Sequence, residues 1–277
     1  MRRGIRSSKY KEWTCPGVAR PLSYGPMQRY GQFCPVAKAA EVFAERWTPL
    51  ILRELLHGSS RFSDLQRGLP LMSRTLLAQR LKELDRAGVL ERRRKARGRG
   101  FEYRLTPAGE EFRPIVERLG VWGQRWARRQ LESDGDYDTG LLMWAIRRGI
   151  RVDRLPERRL VVYFEFGGVP RSARRGHRSW WLVLSKPDVD ICLKDPGGEV
   201  DLKVEADLRT LTRAWLGDLP IAAALRSGEV RLDGPRELVR AFPAWLALSP
   251  LASVSRPSPR DGRDRPRHQP LQRVTIA

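Results

Sequence analysis

The sequence predicts an α+β protein built of two units. In the first half, apolar residues recur at the three- and four-residue spacing of amphipathic helices, and one short hairpin pattern follows them. After residue 140 the pattern changes to short alternating strands joined by turns, with helices behind them. Charge separates the same two regions: residues 1–131 carry 28 basic and 12 acidic side chains, whereas residues 132–250 carry 19 and 18.

The net charge of the 277-residue chain is +21, and this excess favours a polyanionic partner. Nucleic acid is the first expectation and an anionic membrane surface is the second. Because the excess lies in the first unit, the second unit is expected to have a different kind of partner.

Several classes of protein are not indicated. Three cysteines and three histidines form no CxxC pair and no HExxH motif, so we expect no disulfide framework, no metal and no cofactor. No glycine-rich phosphate loop, catalytic triad or carboxylate pair stands out, so we do not expect an enzyme. The basic start lacks the apolar segment of a signal peptide, and the longest uncharged stretch, residues 241–255, is too short to span a bilayer. We therefore expect a soluble, cytoplasmic protein without stable membrane insertion.

Composition divides the chain into five segments. They are a flexible basic arm (1–28), a helical unit with a hairpin (29–131), an acidic linker (132–140), an α+β unit (141–250) and a disordered tail rich in proline and arginine (251–277).

Five helices and one hairpin are predicted in the first unit. Ser73 is a predicted N-cap and Gly88 a predicted stop for the fourth helix. The predicted helices are 35–46, 47–56, 61–68, 74–87 and one that opens at Thr106-Pro107, and the hairpin pairs 89–94 with 101–105.

A short helix, a tight turn, a capped second helix and a basic hairpin together form a winged helix-turn-helix. An α-helix fits the ~12 Å wide major groove, where arginine can read guanine and glutamine can read adenine, and a basic hairpin can lie along the phosphates. The candidate DNA-binding residues are Ser73, Arg74, Thr75, Gln79, Arg80, Lys82, Arg94, Lys95, Arg97 and Arg99. For Arg80 the alternative is an ion pair with Glu83, Glu110 or Glu111. For the basic surface as a whole, the alternative is a solvated face.

Six segments of the first unit resemble the signature of HxlR-type bacterial transcriptional regulators. They are 33–36 (FCPV), 46–55 (RWTPLILREL), 61–65 (RFSDL), 72–76 (MSRTL), 79–84 (QRLKEL) and 103–109 (YRLTPAG). The resemblance covers about residues 30–130. It implies a dimeric winged-helix repressor or activator that binds a two-fold-symmetric operator, with the first and last helices pairing across the dimer.

Two further expectations concern single residues. Trp122 and Trp126 lie on one stripe of the last helix, which independently favours an apolar partner surface; the alternative is that they cover the core of their own unit. Cys34 is similar in position to a cysteine that some family members use as a redox sensor, and a helix N-terminus would favour its thiolate. The alternative for Cys34 is a buried structural thiol.

The second unit is predicted to hold an antiparallel sheet with packed helices, because consecutive strands are joined by turn-length connections. The predicted strands are 159–166, 179–184, 189–193, 200–204 and 229–232, and the predicted helices are 141–150, 207–216, 220–226 and 235–246.

The second unit resembles the sterol-carrier-protein-like lipid-binding fold. The residues that carry this resemblance are Leu211, Trp215 and the segments 216–218 (LGD), 220–225 (PIAAAL), 227–230 (SGEV) and 233–235 (DGP). The resemblance implies an apolar tunnel between the sheet and the helices. The candidate pocket residues are Phe164, Phe166, Trp181, Leu211, Trp215, Ile221, Leu225, Phe242 and Trp245. The alternative is that each of them fills the core.

These observations predict a homodimeric transcriptional regulator, a repressor by expectation, that binds double-stranded DNA through its winged helix. The second unit is expected to read a small apolar ligand as effector or to serve as a dimer or partner surface. The alternative is a lipid or sterol carrier whose basic unit tethers it to anionic surfaces, and this alternative leaves the capped helix and the basic hairpin unexplained.

Overall fold

The computed structural model describes residues 30–95, 99–127, 137–170 and 177–255. The predicted arm, the first five residues of the linker and all but the start of the tail lie outside the described residues. Within the described part, buried apolar residues form two separate clusters, one in each unit. The mixed helix-and-sheet fold with an N-terminal winged helix-turn-helix is confirmed.

The first unit consists of six helices and one hairpin among the described residues. They are α1 (Pro35–Phe43), α2 (Thr48–Leu56), α3 (Phe62–Gly68), α4 (Arg74–Arg86), β1 (Leu90–Arg94), β2 (Phe101–Leu105), α5 (Pro107–Glu110) and α6 (Arg113–Trp122), followed by a π-helical segment at Gly123–Ala127. Their core is closed by Ile51 and Leu52 of α2, Leu65 of α3, and Leu77 and Leu81 of α4, all with at most 1% exposure.

The single last helix that the sequence predicted is divided in the structure. Helix α5 ends at Glu110, and α6 begins at Arg113, with Pro114 in its first turn. A proline lacks the N–H that an internal helical residue donates, so it is accommodated where a new helix starts. Phe112 lies at this break, where its ring stacks on Phe43 of α1 at 5.3 Å between centroids.

The hairpin is fixed to the helices at both ends. The Tyr103 N–H of β2 donates to the Ser60 carbonyl, just before α3, over 2.8 Å. After β2, the Thr106 hydroxyl donates to the Gly88 carbonyl over 2.6 Å and accepts from the Gly109 N–H, which caps α5. Gly109 has to be glycine because a Cβ there would overlap the Val89 carbonyl oxygen. The hairpin of β1 and β2, which is the wing of the winged helix-turn-helix, therefore has a defined orientation relative to α3 and α4.

The second unit contains four helices and five strands within its described residues. They are α7 (Thr139–Gly149), β3 (Leu160–Gly167), β4 (Ser179–Leu184), β5 (Val189–Cys192), β6 (Leu202–Asp207), α8 (Leu208–Trp215), α9 (Ile221–Ser227), β7 (Val230–Asp233) and α10 (Arg236–Trp245). Helix α7 is capped by Asp138 and starts inside the predicted linker. No helix in the described ranges combines the length and the apolar character needed to cross a membrane.

The prediction of a purely antiparallel sheet is wrong. The strand order is β5-β4-β3-β6-β7, and the central pair β3–β6 is parallel, with Val162 opposite Leu202 and Phe166 opposite Ala206. The turn residues after β5 suggested a hairpin. The connection 193–201 instead carries the chain back to the starting end of β3, so β6 runs in the same direction as β3.

The inner face of this sheet carries Phe164 and Phe166, both at most 1% exposed, and Phe164 meets Phe242 of α10 at 6.2 Å between ring centroids. Side chains alternate along a strand, so Trp180, opposite Phe164, shares this face, whereas Trp181 points away from it. Trp181 packs on the Tyr163 ring at 5.0 Å on the outer face. The prediction that Trp181 lies with Phe164 and Phe166 is therefore corrected.

We predict that Phe164→Ala lowers the free energy of unfolding of the protein by about 3–5 kcal/mol, because it removes a fully buried ring and leaves a cavity. Trp181→Ala should cost clearly less, since its ring lies on the outer face. Urea denaturation of both variants checks the assignment of the two faces. Equal losses of unfolding free energy in the two variants would contradict it.

Candidate nucleic-acid interface

The best-placed surface for a nucleic acid is the outer face of α4. Leu77, Leu81 and Leu84 turn toward the core, and Ser73 caps the helix by accepting the Leu76 N–H over 3.2 Å. The exposed side of its cap and helix presents the predicted residues Ser73, Arg74, Thr75, Gln79 and Lys82. A capped helix that presents short polar and basic side chains from its first turns can enter a major groove.

The turn between α3 and α4 is held by one buried side chain. The Gln66 amide nitrogen donates to the Leu69 carbonyl over 3.2 Å and to the Met72 carbonyl over 2.8 Å. These two bonds fix the direction in which α4 leaves the turn. The sequence pattern did not indicate Gln66, because a glutamine on a short helix usually faces solvent.

Arg74 and Gln79 both remain on the surface, with neighbours that restrict their orientation. The Arg74 guanidinium lies 5.4 Å from the centre of the Phe62 ring, the first residue of α3. The Gln79 amide donates to the Glu83 carboxylate over 3.0 Å. Both side chains start at exposed positions from which they can reach base edges.

Arg80, predicted as a DNA contact, is half-buried at the edge of the core. Its two terminal nitrogens lie 2.8 Å from a Glu45 oxygen and 2.7 Å from a Glu83 oxygen, and its side chain is 18% exposed. The ion-pair alternative is thus the one that the structure adopts, with Glu83 as predicted and Glu45 in place of Glu110 or Glu111. Arg80 ties α4 to the turn after α1, and we propose that its role is structural.

The wing supplies a second basic surface. Arg94 and Arg99 are exposed, Lys95 is half-buried, and the Arg92 guanidinium stacks on the Phe101 ring at 3.5 Å across the hairpin. Arg97 lies outside the described residues. The hairpin thus presents exposed cations at its tip, beside the face of α4.

One carboxylate is completely buried behind this interface. Glu54 of α2 has no exposed surface and accepts hydrogen bonds from two neighbours in its own unit, Arg53 at 2.9 Å and Ser59 at 3.3 Å. Two further donors come from α7 of the second unit: the Trp144 indole N–H at 3.0 Å and the Arg148 guanidinium at 2.8 Å. We call these five residues the Glu54 cluster.

The positive charges of the cluster compensate the burial of the Glu54 carboxylate. Burial raises the pKa of Glu54, but Arg148 and Arg53, together with the hydrogen bonds from Trp144 and Arg53, outweigh it and hold that pKa below its ordinary value. Burial and the neighbouring Arg53 and Arg147 lower the pKa of Arg148 despite Glu54. An arginine titrates far above neutrality, so both groups are ionised at pH 7. Nothing in the sequence around Glu54 indicated this arrangement.

The predicted pocket residues lie mostly inside the second core. Phe164, Phe166, Leu211, Phe242 and Trp245 are buried, and the half-buried Trp215, Ile221 and Leu225 pack against them. A cavity of about 430 Å³ lies elsewhere and is lined by Gln124, Arg213, Gly217, Asp218 and residues 252–255. None of these lining residues was among the candidates.

Two other predicted features are located by the structure. Cys34 is the N-cap residue of α1 and is half-buried, and its role as a redox sensor stays a prediction. Six large apolar side chains at and near α1 and α6 are exposed, and we call them the apolar stripe: Phe33, just before α1, Val36 of α1, Ile115, Leu119 and Trp122 of α6, and Trp126 of the π-helical segment. The two tryptophans are 58% and 47% exposed, so they do not cover the first core.

The family described as HxlR-like helix-turn-helix matches residues 42–131. The Bacillus subtilis protein named uncharacterized HTH-type transcriptional regulator YvaP is 37% identical over 100 residues, which cover 34% of this chain and 90% of that protein. The chain belongs to the HxlR-like helix-turn-helix family. It is a DNA-binding transcriptional regulator, and α4 and the wing both lie within the residues that match the family.

Other relatives and solved structures also match about a third of this chain. The Mycobacterium tuberculosis HTH-type regulator Rv3095, also named as uncharacterized, is 38% identical over 95 residues, covering 34% of this chain and 60% of that protein. Among solved structures, the redox regulator HypR in its reduced form is 26% identical and covers 35% of this chain and 96% of its own, with a TM-score of 0.32. The reduced form of the Bacillus subtilis regulator YodB is 27% identical over 36% of this chain and 97% of its own, with a TM-score of 0.31.

We predict that Arg74→Ala mainly weakens DNA binding, whereas Arg80→Met mainly lowers stability. Arg74→Ala should weaken binding to selected DNA by about 1–3 kcal/mol and leave the melting temperature unchanged, because Arg74 lies on the exposed face of α4. Arg80→Met should lower the free energy of unfolding by about 1.5–3 kcal/mol, since Glu45 and Glu83 lose a charged donor. Fluorescence anisotropy and thermal melting check both effects. A loss of affinity in Arg80→Met at unchanged stability would contradict the assignment.

Proposed function

We propose that this regulator binds a two-fold-symmetric operator as a homodimer. Each protomer would place α4 in a major groove and rest the wing on the flanking phosphates. The observation that carries this proposal is the capped, basic outer face of α4 beside the exposed cations of the wing. Two protomers related by a two-fold axis would read two half-sites, whose spacing reflects the distance between the two copies of α4.

The apolar stripe on α1 and α6 is the proposed dimer surface. Phe33 is fully exposed and Trp122 is 58% exposed, and exposed large apolar groups favour burial against a partner. In a two-fold dimer the stripe of one protomer packs against the same stripe of the other, so a single set of residues forms both halves of the interface. A dimer bound at a promoter occupies DNA that other proteins need, and we propose repression as its mode of action.

The second unit is the proposed regulatory part, with no catalytic role. Its core offers an aromatic environment for a small apolar ligand, formed by Phe164, Phe166, Phe242 and Trp245. These rings pack on one another, so a ligand would enter by moving α10 away from the sheet. Ligand control requires different affinities for the DNA-binding and the non-binding arrangements.

We predict that Trp122→Glu converts the dimer into monomers, because it places a charge in the centre of an apolar contact. Sedimentation velocity at micromolar concentration should show a dimer for the wild-type protein and a monomer for the variant, and affinity for a selected genomic fragment should fall at least about tenfold. Leu248→Glu, at an exposed apolar position of the second unit, is the matched control. A monomeric wild-type protein, or a Trp122→Glu dimer of unchanged affinity, would contradict the proposal.

The ligand proposal has a separate test. We expect an apolar extract of the source cells to change affinity for the selected fragment, and Phe242→Ala to alter that response. Identical affinities with and without the extract would remove the effector role from the second unit and leave DNA binding by α4 intact.

A further inference from the structure

The Glu54 cluster is the place where charged side chains of the two units meet. Within its own unit Glu54 has Arg53 and Ser59, and the other two donors, Trp144 and Arg148, project from one side of α7. Burying a carboxylate is costly unless hydrogen bonds and opposite charge replace the lost water. The position of α7 therefore decides how completely Glu54 is compensated.

Helix α7 is buried on both sides. Leu142, Met143 and Ile146 belong to the second core and pack behind the sheet. On the other side, the Trp144 ring lies among three guanidinium groups, with Arg67 of α3 at 5.7 Å, Arg147 at 5.0 Å and Arg148 at 5.8 Å from the ring centre. A displacement of α7 relative to the first unit thus disturbs both its indole contact with α3 and its bonds to Glu54.

The cluster also touches the end of α3. Arg53 donates to the Gly68 carbonyl over 3.1 Å while it binds Glu54, and a Cβ at Gly68 would overlap the Glu54 carboxylate. The turn that follows is held by Gln66, whose amide bonds to Leu69 and Met72 lead directly to the cap of α4. A continuous set of contacts therefore runs from α7 through Glu54 and Gly68 to the start of α4.

We propose that the Glu54 cluster couples the second unit to the DNA-reading helix, so that α4 is held in its DNA-binding orientation only while Trp144 and Arg148 are docked on Glu54. The proposal rests on DNA binding by α4, and it gives the second unit a defined physical route to control that binding. It does not depend on an apolar ligand, since any event that moves α7 acts through the same contacts.

The test compares Arg148→Met and Trp144→Phe with the wild-type full-length protein. Arg148→Met removes the charged donor from α7, and Trp144→Phe keeps a ring but removes the indole N–H. Arg151→Met is the matched control, because it removes the same charge from an exposed position just beyond α7. Two quantities are measured for each: native-state amide exchange of residues 66–77, and affinity for a genomic fragment selected by the wild-type protein.

We expect both variants to accelerate exchange in residues 66–77 and to weaken DNA binding by about 2- to 30-fold, the range of measured couplings through packed side chains. The control should behave like the wild-type protein. In a Glu54→Gln background, Arg148→Met should have a smaller effect than in the wild-type background, because the two residues act as one pair.

The coupling is overturned if Trp144→Phe and Arg148→Met leave exchange in residues 66–77 and DNA affinity at wild-type values, or if the effects of Glu54→Gln and Arg148→Met are strictly additive. If one of the two variants unfolds, the other variant still tests the coupling, because exchange and affinity are measured separately for each. A wild-type protein that binds no DNA would overturn the proposed function instead. Exchange in residues 66–77 would then still report whether α7 acts on the start of α4.

Discussion

A buried carboxylate, Glu54, is the group on which the described arrangement of the two units depends. It has no contact with solvent, so its charge is acceptable only because four donors surround it. Two of these donors, Trp144 and Arg148, come from a segment about ninety residues further along the chain. Breaking such a pair leaves an uncompensated charge in the interior, which costs on the order of several kcal/mol. Correct docking of the units is therefore favoured over alternatives that leave Glu54 unpaired.

This constraint links packing to function through α7 and the turn before α4. Helix α7 belongs to the second core, yet it supplies charged and aromatic groups to the back of the DNA-binding unit. In that unit α4 and the wing carry the exposed cations that we propose as the DNA contacts. The 100 residues that match YvaP make up 34% of this chain and 90% of that protein. The second unit lies outside the residues that match the family, and the Glu54 cluster is the contact through which we propose that it influences the first unit.

Local patterns predicted most of the elements, and non-local contacts account for the differences. Ser73 and Gly88 mark the ends of α4 correctly, because capping depends on neighbouring residues in the chain. The ion pair of Arg80 with Glu45 was not predicted, because Glu45 lies 35 positions earlier. Alternation along β4 identified a strand but did not say which tryptophan faces α10. The direction of β6 depends on a connection that resembles a hairpin turn. Glu54 looks like an ordinary helical glutamate until the second unit folds against it.

The most direct test of this account is whether the two units unfold together. Urea unfolding of the full chain, followed by pulsed amide exchange, reports α4 and the central strand β3 separately in one experiment. We predict that α4 and β3 of the wild-type protein unfold with the same urea midpoint. In Glu54→Gln we expect the midpoint of α4 to fall below that of β3. Two independent transitions in the wild-type protein, unchanged by Glu54→Gln, would show that Glu54 does not join the units and would contradict the account.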